Sequence, residues 1–235
     1  MNSRQLVAEE INKYGINELF FASRLYKEKF ADTLSEAAYF KTLERMCNSG
    51  QVLNIARGVY CRPEITDYGI LGPSDKSIVR TFTENGTGTV VGYALFNQLG
   101  LTTQIAKCVE VFSSNIMQDI KTIQNVHICR YRLDYSDDVT EMIRLLEVVK
   151  HFEKIQDMNY AGFVRYVRTA AGNYSQDIFE YVTAEIKYQK RTVAFLKEIL
   201  DYYGVPNRLD KHLSTLTRYV YPKMEEINEL AHVEC

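Results

Sequence analysis

The stretch from Thr33 to Pro63 constrains the fold most, because it carries a helix, a helix stop and two strand-like runs in immediate succession. Thr33 and Glu36 have the spacing of a capping box, which satisfies unpaired N–H groups at a helix start. Ser49-Gly50 supplies a C-terminal stop. The apolar stripe between these signals has helical spacing and consists of Tyr39, Phe40, Leu43, Met46 and Cys47. The sequence therefore predicts an amphipathic helix between these two signals.

The ribbon after this helix completes a pattern typical of DNA-binding domains. Residues 51–60 carry β-branched side chains and are broken by Arg57-Gly58, which predicts a hairpin turn. The helix face opposite the stripe carries short donors and two cations, namely Ser35, Lys41, Thr42 and Arg45. Together with Arg57 and Arg62 on the ribbon, this face suits a major-groove helix with a flanking wing. Periodicity alone leaves a second interpretation open, an ordinary amphipathic helix with a solvated polar face.

Composition and charge narrow the class of protein. The net charge of −2 and the pI near 6.1 argue against a protein that coats nucleic acid non-specifically. Residues 1–62 nevertheless hold nine Lys/Arg against seven Asp/Glu, which permits binding through a local patch. The five cysteines, Cys235 among them, are odd in number and lack C-x-x-C spacing, which indicates free thiols in a reducing compartment. Without a signal-peptide core or a membrane-length apolar run, we expect a cytoplasmic protein.

The order of elements predicts two domains. A helix over residues 3–14 and a helix, or a helix plus a turn, over residues 18–30 precede the stretch described above. About 62 residues in this order match a winged helix-turn-helix domain, assigned to residues 1–63. A glycine-containing loop at 63–72 separates it from a second domain, residues 73–235. The expected fold class is α+β and mostly helical, with mixed α/β structure over 73–134 and a helical bundle over 135–235.

The second domain is predicted element by element from periodicity and breaks. Its mixed part should contain helices at 74–84 and 93–101 and strands at 89–91, 107–112 and 126–133. Its helical part should contain segments 137–156, 159–171, 175–203 and 208–230.

Two sequence blocks resemble a known family. The first is NSGQVLNIARGVYCRP, where a helix ends in a glycine and a short ribbon leads through A-R-G-V-Y to a proline. The second is GYALFNQLGLTTQ at 92–104, which is similar to a G-x-x-A-L-x-x-L-G-L-(S/T)-T-Q segment. In this order and spacing they resemble AbiEi-family antitoxins, the antitoxin halves of type IV abortive-infection toxin–antitoxin systems. The resemblance covers about residues 1–133 and leaves out the helical tail.

The resemblance implies a winged-helix transcriptional regulator that represses its own operon from promoter DNA. It further implies an antitoxin that counteracts a co-encoded nucleotidyltransferase-like toxin, directly or indirectly. The implied DNA-binding residues are Ser35, Lys41, Thr42, Arg45, Asn54, Arg57 and Arg62. Relatives often carry a basic residue at the position of Asn54, so wing–phosphate contact should be weaker here, and Arg62 is expected to replace it in part. Since one domain with so few cations binds weakly at physiological salt, we expect two copies on paired half-sites, as a dimer or as cooperative monomers.

The remaining polar residues do not form a catalytic set. His127 and Cys129 alternate on a predicted strand without a second pair nearby, so a half-buried strand is favoured over a metal site. We therefore expect no enzyme activity, no metal and no cofactor. A second basic patch lies in the helical tail and consists of Arg165, Arg168, Lys187, Lys190 and Arg191. One interpretation is structural: the aliphatic stems of these cations cover neighbouring tyrosines. The other is functional: the patch is a surface for an acidic partner or RNA. The alternative to an antitoxin is a winged-helix regulator whose helical domain senses a ligand or a partner protein.

Overall fold

The computed structural model describes residues 3–233 and divides the chain into two compact units. The first unit extends to Thr81 and includes Lys121–Val126, and the second contains Phe82–Ile120 and the chain from His127 onward. The predicted fold class, α+β and mostly helical, is confirmed. The first unit extends beyond the predicted boundary at 63–73. Two hydrogen bonds tie its distant segment to the start of the fourth helix, one from Gln124 Nε2 to Pro73 O (3.2 Å) and one from Asn125 Nδ2 to Asp75 Oδ2 (3.1 Å).

The first unit begins as a winged helix-turn-helix domain. Its elements are α1 (Ser3–Ile11), β1 (Leu19–Phe21), α2 (Ala22–Lys29), α3 (Glu36–Asn48), β2 (Leu53–Ala56), β3 (Val59–Cys61), β4 (Glu64–Thr66), β5 (Gly69–Leu71) and α4 (Asp75–Thr83). The antiparallel sheet has the order β1-β3-β2, so the strand between α1 and α2 pairs with the last strand of the ribbon. Three helices and a three-stranded sheet in this order give the winged helix-turn-helix topology.

The amphipathic helix α3 forms as its stripe predicts, but its cap differs. Ser35 is the N-cap, and its Oγ accepts a hydrogen bond from Ala38 N at 3.3 Å. The predicted capping box of Thr33 and Glu36 does not form, because Thr33 Oγ1 donates to Phe30 O in the preceding turn. The stripe residues Tyr39, Leu43 and Met46 are at most 3% exposed and join the core formed by α1, α2 and β1. Burial of this stripe stabilises the helix and fixes which face is solvated.

The helix predicted over residues 18–30 forms only at Ala22–Lys29, because the residues before it are in a strand. Residues 19–21 form β1, which pairs with β3 in the register Leu19↔Cys61 and Phe21↔Val59. Phe20, 1% exposed, enters the core of the unit. This strand forms because it pairs with residues about forty positions away, and local periodicity carries no information about such a distant partner.

The segment predicted as a loop at 63–72 is also ordered differently. Residues 64–71 form the two-stranded hairpin β4–β5, with Thr66 paired to Gly69 across the turn. Its side chains Ile65, Tyr68, Ile70 and Leu71 are exposed.

The second unit combines a small sheet with a helical bundle. Its elements, with β8 reaching into the segment assigned to the first unit, are β6 (Gly88–Val91), α5 (Gly92–Gln98), β7 (Val109–Ser113), β8 (Ile120–Ile123), β9 (Val126–Arg130), α6 (Asp137–His151), α7 (Tyr160–Gly172), α8 (Gln176–Glu185), α9 (Lys190–Tyr202) and α10 (Met224–Val233). The strand order is β6-β7-β9-β8, and β8 is a strand that the sequence interpretation lacks. Helices α6 to α9 bury a continuous apolar core.

Two predicted helices in the tail need correction. The segment 175–203 is divided into α8 and α9, because Ile186 and Gln189 adopt extended backbone angles between them. The segment 208–230 is mostly not helical: a 3₁₀ turn at Leu209–His212 is followed by irregular chain up to α10. Pro222 lacks a backbone N–H and restricts the residue before it, which disfavours a helix through this point.

Candidate nucleic-acid interface

The solvated face of α3 presents two cations. Lys41 and Arg45 lie one helical turn apart and are both exposed. Ser35 is exposed at the start of the helix, where its hydroxyl oxygen is occupied by the capping hydrogen bond and its proton remains available to a phosphate. These three predicted residues are therefore accessible on one element.

The fourth residue predicted on this face, Thr42, lies elsewhere. Thr42 is 6% exposed, and its Oγ1 donates to Ala38 O at 2.8 Å. Its position three residues after Tyr39 turns it toward the core, and the hydroxyl is satisfied by the backbone of its own helix. The placement of Thr42 on the exposed face is wrong.

An acidic neighbour reduces the positive charge of this face. Lys41 Nζ forms an ion pair with Glu44 Oε2 at 2.8 Å, and both side chains are about 60% exposed. The hydrogen bond from Lys41, and then its charge, lower the pKa of Glu44, so this carboxylate stays ionised at neutral pH. With Glu36 also exposed, the cations on α3 are balanced by carboxylates. The net potential of the helix surface is therefore close to neutral.

We expect the Glu44→Gln variant to bind duplex DNA more tightly than the wild type. The substitution releases Lys41 from its ion pair and removes a negative charge that would face phosphates. The gain should be modest, and it should shrink as added salt screens exposed charges. Fluorescence anisotropy at two salt concentrations measures the affinity. Glu9→Gln is the control, because it removes the same charge from an exposed position of α1. Equal affinities of Glu44→Gln and Glu9→Gln would contradict this role for Glu44.

The wing is a tight turn between β2 and β3. Arg57-Gly58 forms it, and Gly58 has φ +75°, a left-handed conformation that favours glycine. Asn54 is exposed on β2 opposite Tyr60, and the ladder shifts register between Asn54 and Ala56. Arg57 is exposed at the tip. A register shift and a two-residue turn thus direct one cation outward from the sheet.

A second cation, Lys121, lies beside the tip of the wing. Its Nζ donates to Arg57 O at 2.7 Å across 64 positions of sequence. Burial, and then the charge of Arg57, lower the pKa of Lys121. The two like charges are held together by the backbone carbonyl, which is a feature suited to receiving an anion. Sequence reasoning missed Lys121, because no local pattern links residue 121 to the wing.

Arg62 has a structural role. Its Nη1 donates to Asn12 O (3.1 Å) and to Tyr14 O (2.6 Å), just after the end of α1. These hydrogen bonds satisfy backbone carbonyls of the turn that follows α1. The expectation that Arg62 supplies the cation missing at Asn54 is therefore wrong. The cation that lies next to the wing is Lys121.

Two further chemistries find no geometric support within residues 3–233. No group of three or more His, Cys, Asp or Glu side chains in this range could hold a metal ion. Cys47, Cys61, Cys108 and Cys129 are free thiols, while Cys235 lies outside the described residues. Burial, and secondarily Cys47, raises the pKa of Cys61 to about 11, which makes it a poor nucleophile at neutral pH.

None of the helices in the described range has the length and apolar character needed to cross a membrane.

Comparison with known proteins identifies a family for this chain. The model of DUF6088, a family of unknown function, matches residues 12–129. The chain belongs to the DUF6088 family. The matched part of this DUF6088 protein includes α2, α3, the wing and the strands up to β9, and it stops before the helical tail.

Two other comparisons complete this result. No curated protein matches the chain. Among solved structures, the crystal structure of RV2827C protein from Mycobacterium tuberculosis is similar, with 9% sequence identity and a TM-score of 0.43. That match covers 86% of this chain and 77% of the other.

Proposed function

We propose that this DUF6088 protein is a DNA-binding transcriptional autorepressor. The observation that carries the proposal is the pairing of a winged helix-turn-helix topology with accessible cations at both DNA-facing elements. Lys41 and Arg45 project from α3, the element that enters the major groove in such domains. Arg57 and Lys121 lie at the wing, where phosphate contacts position the domain without reading sequence.

The charge balance sets how this repressor works. The α3 cations are offset by Glu36 and Glu44, so a single copy should have low affinity for unrelated DNA at physiological salt. Two copies on paired half-sites, as a dimer or as cooperative monomers, would add their base contacts and raise specific affinity. The proposed partner of this interface is double-stranded DNA, and the choice of the chain's own promoter rests on the resemblance to AbiEi-family antitoxins.

A duplex containing the chain's own promoter tests the DNA-binding proposal. We expect the full-length protein to bind it more tightly than an unrelated duplex of equal length, with affinity falling as salt rises. Gel shift or anisotropy measures both, and a reporter fused to the promoter measures repression. Equal affinity for the two duplexes over a range of salt would contradict a sequence-specific repressor.

We further propose that the chain acts as an antitoxin, which rests on the resemblance of the blocks around residues 48–63 and 92–104 to AbiEi-family antitoxins. In this case a nucleotidyltransferase-like toxin is encoded alongside, and co-expression of the full chain should restore growth. The variant Arg45→Ala should still restore growth if DNA binding and toxin neutralisation are separate activities. Growth arrest that persists with wild-type chain at matched expression would count against the antitoxin role.

A second candidate function is a winged-helix regulator whose second unit senses a ligand. A cavity of about 300 Å³ in that unit favours it. The cavity lies among α6, α9 and the chain before α10, all within the helical tail. Absence of a toxin gene beside this one, combined with ligand-dependent repression, would favour this function over the antitoxin.

A further inference from the structure

The cavity in the second unit has the size and position of a small-molecule site. Its volume is about 300 Å³, at the lower end of the range for ligand pockets. It is bordered by the C-terminal end of α6, the residues leading into α9, the first turns of α9 and the pair Tyr221-Pro222. All of these belong to one compact unit.

The cavity is lined by more positive charge than its carboxylates neutralise. Lys150 is compensated, because its Nζ contacts both oxygens of Glu147 at 3.0 and 3.1 Å, and Glu147 is 2% exposed. Arg191 is compensated by an ion pair with Glu153, and its Nε donates to Val220 O. These two pairs contribute no net charge to the cavity.

Two further lysines at the cavity are not compensated. Lys187 Nζ donates to the carbonyls of Thr183 and Ala184 at the end of α8, which carry only partial negative charge. Lys154 is exposed, and neither lysine forms an ion pair within the described part of the chain. An excess of two positive charges matches a phosphate monoester, which carries a charge of about −1.5 to −2 at pH 7. Charge-assisted hydrogen bonds from lysine to phosphate are among the stronger polar contacts.

Aromatic rings form another part of the lining. Phe195 and Tyr221 stack with centroids 6.0 Å apart and an interplanar angle of 18°. Phe195 is 3% exposed and packs edge-on against Phe152 at 5.3 Å, which holds the pair in place. Lys223 Nζ lies over the Tyr221 ring, 5.0 Å from its centroid, so a planar ring of a ligand would contact this pair edge-on, which adds to the apolar area it buries. The cavity therefore offers a phosphate position and an aromatic position.

We propose that this cavity binds a small phosphate monoester that carries an aromatic ring, the chemistry of a nucleoside monophosphate. The lysines Lys154 and Lys187 bind the phosphate, and Tyr221 and Phe195 contact the ring. The cavity accounts for two members of the basic patch in the helical tail, Lys187 and Arg191, whereas Lys190 does not line it. Binding here is independent of the DNA-binding proposal, since every residue involved lies in the second unit.

Titration calorimetry on the full-length protein tests the proposal with three probes. AMP carries both groups, ribose 5-phosphate lacks the ring, and adenosine lacks the phosphate. We expect AMP to bind at least about tenfold more tightly than either of the others, because each lacks one set of contacts. No measurable heat with AMP, or ribose 5-phosphate binding as tightly as AMP, would overturn the proposed ligand class.

Three variants locate the site. Lys154→Ala and Lys187→Ala should each weaken AMP binding about tenfold, the loss expected for one charge-assisted hydrogen bond. Lys190→Ala, which removes the same charge outside the cavity, should bind AMP like the wild type. Lys187 also hydrogen-bonds carbonyls at the end of α8, so Lys187→Ala can lower the melting temperature as well as the AMP affinity. If it does, the AMP affinity of Lys154→Ala decides whether the site exists. Wild-type AMP affinity in Lys154→Ala would overturn the site, and unchanged promoter binding in the same variant separates this result from the DNA-binding proposal.

Discussion

Replacing Arg45 by alanine is expected to weaken binding to the promoter duplex by about 1–3 kcal/mol, or about 5- to 150-fold. Arg45 is exposed in the last turn of α3, and no ion pair among the described residues holds its guanidinium. Its planar fork can therefore present two donors to a base edge at little cost in lost intramolecular contacts. Affinity for an unrelated duplex should fall much less, so that the ratio of specific to non-specific binding decreases.

The wing predicts a different result for Arg57→Ala. A wing cation contacts phosphate, so its loss should weaken binding to promoter and unrelated DNA alike and reduce the slope of log affinity against log salt by about one. Lys13→Ala removes the same charge from an exposed lysine paired with Glu10 and should leave discrimination intact. Anisotropy titrations on both duplexes measure all three variants. If Arg45→Ala and Arg57→Ala both bind the promoter like the wild type, α3 and the wing do not form the DNA interface.

Local sequence signals predicted α3 and the wing turn, because each depends on neighbouring residues. The stripe of Tyr39, Leu43 and Met46 repeats at helical spacing, and Gly58 satisfies a left-handed turn position. The cap was predicted wrongly, because the spacing of Thr33 and Glu36 favoured Thr33 although Ser35 also carries a hydroxyl. Only the structure shows that Thr33 donates back to Phe30 while Ser35 accepts from α3.

The features that sequence missed depend on distant contacts. Strand β1 requires pairing with β3, and Lys121 reaches the wing across 64 positions. Thr42 was misplaced for a different reason: a polar residue beside a stripe can be buried when its hydroxyl bonds the carbonyl four residues earlier. Likewise, Phe179, Val182 and Ile186 repeat at helical spacing, but the spacing cannot show that the backbone is extended at Ile186, where α8 ends.

Gly88→Ala is expected to destabilise the second unit by about 3 kcal/mol or more. Gly88 is buried at the start of β6 and pairs with Ser113 of β7. A Cβ at this position would lie 2.3 Å from Phe82 O and 2.4 Å from Phe112 O. Both atoms belong to the backbone, so no side-chain rotation can relieve the overlap. Either β6 must separate from β7, or the turn after α4 must shift, and both changes disturb the sheet.

The matched control is Gly172→Ala, at the last position of α7. Apart from its chain neighbours and the backbone of its own helix, no atom lies within 4 Å of a Cβ built there, and its φ is outside the left-handed region. Since alanine favours helix over glycine, this variant should be as stable as the wild type or more stable by up to about 1 kcal/mol. Urea unfolding followed by circular dichroism compares the three proteins at equal concentration. A Gly88→Ala midpoint equal to that of Gly172→Ala would show that β6 can move away from Phe82 and Phe112, and that the close approach of these backbones is not needed for the fold.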